Sequence, residues 1–103
     1  MTRQFDVHLT PFRRDKKIRP FIVVVQSDRI DYASRVCAPL VAAQFLVPNG
    51  RLNPAFTING QKCFLHPAEL ATLPLRQLRD PVANLEVERD RIIAALDLVF
   101  TGI

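Results

Sequence analysis

Cysteine is scarce, long apolar runs are missing, and the common catalytic signatures are absent. Only Cys37 and Cys63 occur among the 103 residues, each inside an apolar segment and without CxxC or any other metal-ligand spacing. They are expected to be buried free thiols, and no cofactor or metal is implied. No stretch approaches the roughly 18 apolar residues of a membrane span, and the opening MTRQFDVHLT is too polar for a secretion signal. The cytoplasm is the expected location, with no membrane partner. P-loop, GxGxxG and nucleophile-elbow patterns are all missing, and no paired carboxylates can be placed from the sequence. His8 and His66 lie far apart in the chain and are expected to be structural or exposed.

What is present suits one compact globular unit, residues 1–103. Hydrophobic residues make up 49% and charged residues 23%, enough apolar surface to offset the entropy of ordering the chain. The formal net charge of +4 favours encounter with nucleic acid or acidic proteins. Much of the excess sits in Arg13, Arg14, Lys16, Lys17 and Arg19, between Pro11 and Pro20. No run of aromatics accompanies them to stack bases, so a solvated hairpin loop is expected there rather than a nucleic-acid patch.

Eight prolines at nearly regular intervals suit short strands with frequent turns. Gln4–Leu9 alternates, which puts Phe5, Val7 and Leu9 on one face of a first strand. FIVVVQ, from Phe21 to Gln26, is a β-branched run typical of a strand buried on both sides or in a barrel wall. Ser34–Leu40 reads as a third strand, with Pro39 placing its end at an edge or bend. Asn59-Gly60 supplies the positive φ angles of a type I′ turn, so Ala55–Leu65 should be a tight hairpin. One helical turn or an irregular connection is expected over His66–Leu73, and a last short strand over Leu75–Leu78.

Near the end the period changes. Asn84 can cap a helix from about 85 to 101, Glu86 and Glu88 suit its positive end, and Ile92, Leu96, Val99 and Ile103 form an apolar stripe. Ile93 and Phe100 flank that stripe. A second stripe of Asp90, Ala94, Asp97 and Thr101 is small and polar, with Glu88 and Arg91 placed for an i,i+3 pair. Gly102 can take a left-handed cap conformation. An apolar tip at Gly102 and Ile103 is expected to be covered by a second copy or by a partner. Strands followed by one terminal helix of ~24 Å predict a mainly β fold, a small barrel with a helix packed on it.

The segment VQSDRID (Val25–Asp31), Pro39-Leu40, LATLP (Leu70–Pro74), the ending LDLVFTGI and the early Gln4-Phe5 together resemble the CcdB family of toxins, in order and at matching spacing. The resemblance implies an SH3-like β-barrel with a carboxyl-terminal helix, the fold type shared with MazF toxins, assembled as a cytoplasmic homodimer. It also implies a gyrase poison, not an enzyme. Such a toxin binds the A subunit of DNA gyrase, traps the cleaved gyrase–DNA complex, and meets DNA only through gyrase. Neutralisation by the disordered tail of a CcdA-like antitoxin, which folds as it binds, completes the picture.

Carried over position by position, the gyrase-facing residues are Ser27, Arg29 and Ile30, with Asp97, Phe100, Thr101, Gly102 and Ile103 on the helix. Arg13, Arg14, Lys16, Lys17 and Arg19 are the candidate contacts for antitoxin carboxylates. The best-known family pattern has tryptophan at the place of Thr101, asparagine at Asp97 and isoleucine at Arg29. Arg29 and Asp97 could pair with each other or with new partner charges. Two other readings stay open from the sequence. One is a MazF-like endoribonuclease, in which Arg35, Asp28, Asp31 and His8 converge as cation, acid and base. The other is a non-toxic relative that only binds an antitoxin.

Overall fold

The computed structural model describes residues 2–103. Among them, seven strands and one α-helix follow one another along the chain. The strands are β1 Asp6–Leu9, β2 Phe21–Val24, β3 Ser34–Ala42, β4 Ala55–Ile58, β5 Gln61–Leu65, β6 Ala71–Pro74 and β7 Ala83–Asn84; α1 spans Arg89–Thr101. All pairings are antiparallel, in the order β4-β5-β3-β2-β1-β7. β3 is long enough to hold two partners on one side. Its first half pairs with β6 (Arg35 opposite Leu73) and its second half with β5 (Leu40 opposite Leu65). The sheet curls into a nearly closed barrel carrying the terminal helix, the mainly β architecture expected from strand patterning followed by a change of period.

The sheet is buried on both faces, and β2 explains how. Phe21 and Val23 point into the main core with Phe5, Val7, Leu40, Leu65 and the helix residues Ile92 and Ala95. Ile22 and Val24 point the other way, into a smaller cluster with Cys37, Leu73 and Leu78. A continuous β-branched run is what such a strand requires, because neither set of alternate side chains meets water. Residues 73–78 cover the second face through Leu73, Leu75 and Leu78.

Several expected boundaries move, each for a local reason. The first strand starts at Asp6, since Phe5 takes a left-handed backbone (φ 70°) that turns the chain as it enters the sheet. Leu9 is exposed rather than aligned inward with Phe5 and Val7. β2 stops at Val24 because the amides of Val25 and Gln26 both donate to the carbonyl of Val36, at 3.0 and 3.2 Å. Two residues facing one make a bulge. Pro39 neither ends β3 nor sits on an edge. Its carbonyl accepts from the His66 amide (3.0 Å), so its imide nitrogen faces the gap between β5 and β6, where no ladder donor is needed. The strand expected at Leu75–Leu78 is a 3-10 turn over Leu75–Gln77, and the pairing with β3 falls earlier, on Ala71–Pro74. Asn59 and Gly60, with φ of 50° and 78°, form the two-residue turn expected between β4 and β5.

Candidate functional site

The helix is fixed at its start and free at its end. Leu85 is buried, and the Asn84 side chain accepts from the Glu86 amide (2.8 Å) while donating to Asp6 on β1 (2.8 Å). Asn84 does not occupy the cap expected of it: it ends β7 and braces the Glu86 amide, Leu85 stands at the cap of a 3-10 turn over Glu86–Glu88, and α1 starts only at Arg89 after Glu88. Glu88 pairs with Arg91 at 3.1 Å, as the i,i+3 spacing predicted. Arg91 does more: its guanidinium also donates to the Ala55 carbonyl (2.9 Å) and stacks over Phe56. It therefore clamps the first turn onto β4. Ile92 and Ala95 are fully buried, with Ile93 and Leu96 packed beside them.

Beyond Leu96 the helix overruns the barrel. Val99 is half-buried, while Phe100 is 68% and Ile103 is 82% exposed. Gly102 holds a left-handed backbone (φ 76°), and its amide reaches the Leu98 carbonyl at 3.1 Å, closing the last turn as an αL cap. The Thr101 hydroxyl donates back to the Asp97 carbonyl (2.7 Å). Bound within its own helix, that hydroxyl leaves Phe100 and Ile103 as the apolar groups displayed at the tip.

The second candidate segment is a braced loop. Asp28 accepts from the Gln4 amide (2.8 Å), the Ser27 hydroxyl accepts from the Arg29 amide (3.1 Å), and the Gln26 side chain donates to the Ile30 carbonyl (2.7 Å). These bonds present Arg29 and Ile30 to solvent and leave Ser27 half-buried. Tyr32, 70% exposed on the same loop, adds a large aromatic side chain to this surface. Asp28 shares a cleft with Glu86 and Arg89, so the loop borders the start of α1. The helix tip lies about 18 Å along the axis from that start. The two groups of candidate residues therefore border opposite ends of the helix. No ion pair joins Arg29 to Asp97 among the described residues.

The basic loop divides in two. Arg13, Arg14, Lys16 and Lys17 are exposed, with Lys17 over the Phe45 ring. Arg19 is held by both carboxylate oxygens of Glu69, at 3.0 and 2.8 Å, and lies 3.9 Å from Asp15. That bidentate contact lowers the Glu69 pKa and raises that of Arg19. Arg19 thus ties the loop to the turn at Pro67–Glu69, whereas the other four cations form no ion pair among the described residues.

The residues weighed for RNA cleavage do not converge. Arg35 donates to the carbonyls of Tyr32 and Ser34 and lies 3.4 Å from Asp31, while Asp28 is occupied by Gln4. His8 lies in the row of Pro39, four residues along β3 from Arg35, or about 13 Å at strand spacing. Among the described residues no group of His, Cys, Asp and Glu could hold a metal ion. Burial pushes the Cys37 thiol up to about 12 and the Cys63 thiol up to about 11, so both are inert, buried and free, as expected. In the polar stripe of α1, Asp90, Asp97 and Thr101 are exposed, as on a solvent face, and Ala94 alone is half-buried, in a groove lined also by Gly50, Arg51 and Pro54. Nothing local in the sequence signals that contact, which joins segments some 40 positions apart.

No described helix is long and apolar enough to cross a membrane. No curated protein matches the chain. A family model described as CcdB protein matches residues 4–102, a span that takes in the braced loop and the helix as far as Gly102.

Proposed function

The chain belongs to the CcdB family, a family of toxins from toxin–antitoxin pairs, and from that premise we propose that it poisons DNA gyrase by binding. As a homodimer in the cytoplasm, it would engage the gyrase A subunit and favour the cleaved gyrase–DNA complex over the resealed one. Binding alone suffices for this: a ligand that prefers one of two states shifts their balance by the ratio of its affinities for them. The observation supporting this most directly is the family match together with a capped helix tip that displays Phe100 and Ile103 to solvent.

In the proposed interface, Phe100, Gly102 and Ile103 form the apolar reading head, with Asp97 and Thr101 beside it. Ser27, Arg29 and Ile30 contribute a second contact from the braced loop. The exposed cations Arg13, Arg14, Lys16 and Lys17 receive carboxylates of a CcdA-like antitoxin, and Arg19 holds the loop that carries them. Purified gyrase and plasmid DNA provide the test. The protein should raise the yield of cleaved DNA recovered after denaturation, and a chain lacking Thr101–Ile103 should fold normally but lose that effect. Full activity in the truncated chain would overturn the assignment of the tip. No cleavage at saturating protein would overturn gyrase poisoning itself and leave an antitoxin-binding relative.

A further inference from the structure

The connection from β2 to β3 runs over Val25–Ala33, longer than the roughly two to five residues that usually join paired strands, and it contains no helix or strand. Connections of that kind are usually either functional or loose. This one is not loose. Besides the bonds made by Gln4, Gln26 and Ser27, the Ile30 amide donates to the Ser27 carbonyl (3.1 Å) and the Leu75 amide to the Ala33 carbonyl (3.0 Å). The remaining brace is Arg35, a buried charge that none of the proposed gyrase contacts uses.

Arg35 is only 8% exposed, whereas Asp31, the carboxylate paired with it at 3.4 Å, is almost fully solvated. A guanidinium taken out of water must fill its donors, and a solvated carboxylate on one side does little of that. Arg35 instead donates to the carbonyls of Tyr32 and Ser34, the second at 2.9 Å. With the Leu75 amide on Ala33, three successive carbonyls are held at the end of the loop. The backbone that carries Tyr32 is therefore fixed, while its ring stands 70% exposed and Ile30, two residues earlier, is 46% exposed. Scattered apolar residues on a surface are ordinary. Two on one segment whose backbone is held by a buried arginine and by side chains from two other strands of sequence are displayed. An aromatic ring on a fixed backbone has little freedom left to lose on binding, which is what makes tyrosine an effective contact residue.

We propose that Tyr32 is a further contact of the gyrase-facing surface, with Arg35 the positioning residue that holds it outward. The inference rests on the gyrase-poisoning reading and extends it along one loop, from Ser27, Arg29 and Ile30 to Tyr32. Its chemistry suits a protein surface: the ring covers apolar area and the phenol meets a polar group at its rim. It also supplies, at the loop, aromatic area that Thr101 does not supply at the helix tip.

The chain has one tyrosine, so fluorotyrosine incorporated in its place labels position 32 alone. In fluorine NMR the signal of the full chain should be relaxed by a soluble gadolinium chelate, and the gyrase A subunit should remove that relaxation by covering the ring. Tyr32→Ala should melt as the parent chain does, yet need at least about tenfold more protein to trap cleaved DNA, as expected when an aromatic contact is truncated. Arg35→Lys keeps the charge but loses the planar fork. It should weaken trapping in the parent chain and add little in the Tyr32→Ala background, since the two residues act as one unit. Equal losses from Arg35→Lys in both backgrounds would overturn its positioning role and leave it a structural residue. Should Arg35→Lys fail to fold, the fluorine signal and Tyr32→Ala still decide the contact. Trapping by the parent chain with Tyr32→Ala equally active, or a ring still open to the chelate in the complex, would overturn this inference alone. No trapping by the parent chain would overturn the gyrase reading and this inference with it.

Discussion

Replacing Ile92 with alanine should unseat the helix from the barrel, whereas the same change at Ile103 should leave the fold intact. Ile92 has no solvent exposure and lies in the main core beside Ala95 and Leu85. The substitution removes three carbons, about 2.4 kcal/mol of transfer free energy at ~0.8 kcal/mol each. Incomplete collapse of the space left behind brings the total to about 3–4 kcal/mol, within the usual span for such truncations. For a chain of this length that corresponds to a fall in Tm of about 12–30 °C. Ile103 is 82% exposed, so its truncation should cost no more than ~0.5 kcal/mol. Urea unfolding followed by circular dichroism, repeated at several protein concentrations to separate folding from association, measures both variants. On the proposed function, Ile103→Ala also loses gyrase trapping. A cost below 1 kcal/mol for Ile92→Ala, or a comparable cost for Ile103→Ala, would refute this division of the helix.

Two more outcomes follow from the side-chain geometry. Glu69→Gln should destabilise the protein by about 1 kcal/mol at neutral pH, because both partners of the Arg19–Glu69 contact are about a third exposed and screened. Arg19 lowers the Glu69 pKa from its usual 4.5, so this stabilisation is present above that value and is lost as pH falls through the lower, folded-state value. Thermal melts from pH 7 down to acid should show the wild type and the variant converging; a gap unchanged in acid would contradict the linkage. For the thiols, burial at Cys37 and Cys63 should make labelling by a thiol reagent in native protein far slower than in urea. Rapid native labelling would show that these segments open readily.

Parts of the fold were legible because a local rule decides them. Asn59-Gly60 specifies its turn through backbone sterics alone, and FIVV announces two-sided burial by having no polar alternate residue. The shift from period two to period 3.6 marks the helix. Long-range pairing hid the rest. Pro39 is harmless in β3 only because the neighbouring strand changes from β6 to β5 beside it, a fact of topology. β6 displaced the expected strand at Leu75–Leu78 because Arg35, Val36 and Cys37 supply its register. The apolar stripe of α1 was visible to its end, but periodicity cannot say where the barrel beneath it stops. The pattern therefore marked Ile92 and Ile103 alike, although one is core and the other solvent-exposed.

That overhang also bears on the positions where the chain departs from the family pattern. Arg29, Asp97 and Thr101 are all exposed, so none is needed by the core, and the fold places no demand on what stands there. Their identities are free to follow a partner. With Thr101 bonded back to Asp97, the aromatic area at the tip comes from Phe100 alone, one residue earlier on the helix. Consecutive helical residues point about 100° apart around the axis. On the proposed function, a gyrase surface that accommodates this tip must approach from a different side than one built around an aromatic at position 101. Restoring tryptophan by Thr101→Trp should then leave stability within ~0.5 kcal/mol, as expected at an exposed site, while changing which gyrase is trapped. Equal trapping of the same gyrase by both proteins would place the recognition elsewhere, with the braced loop the next surface to change.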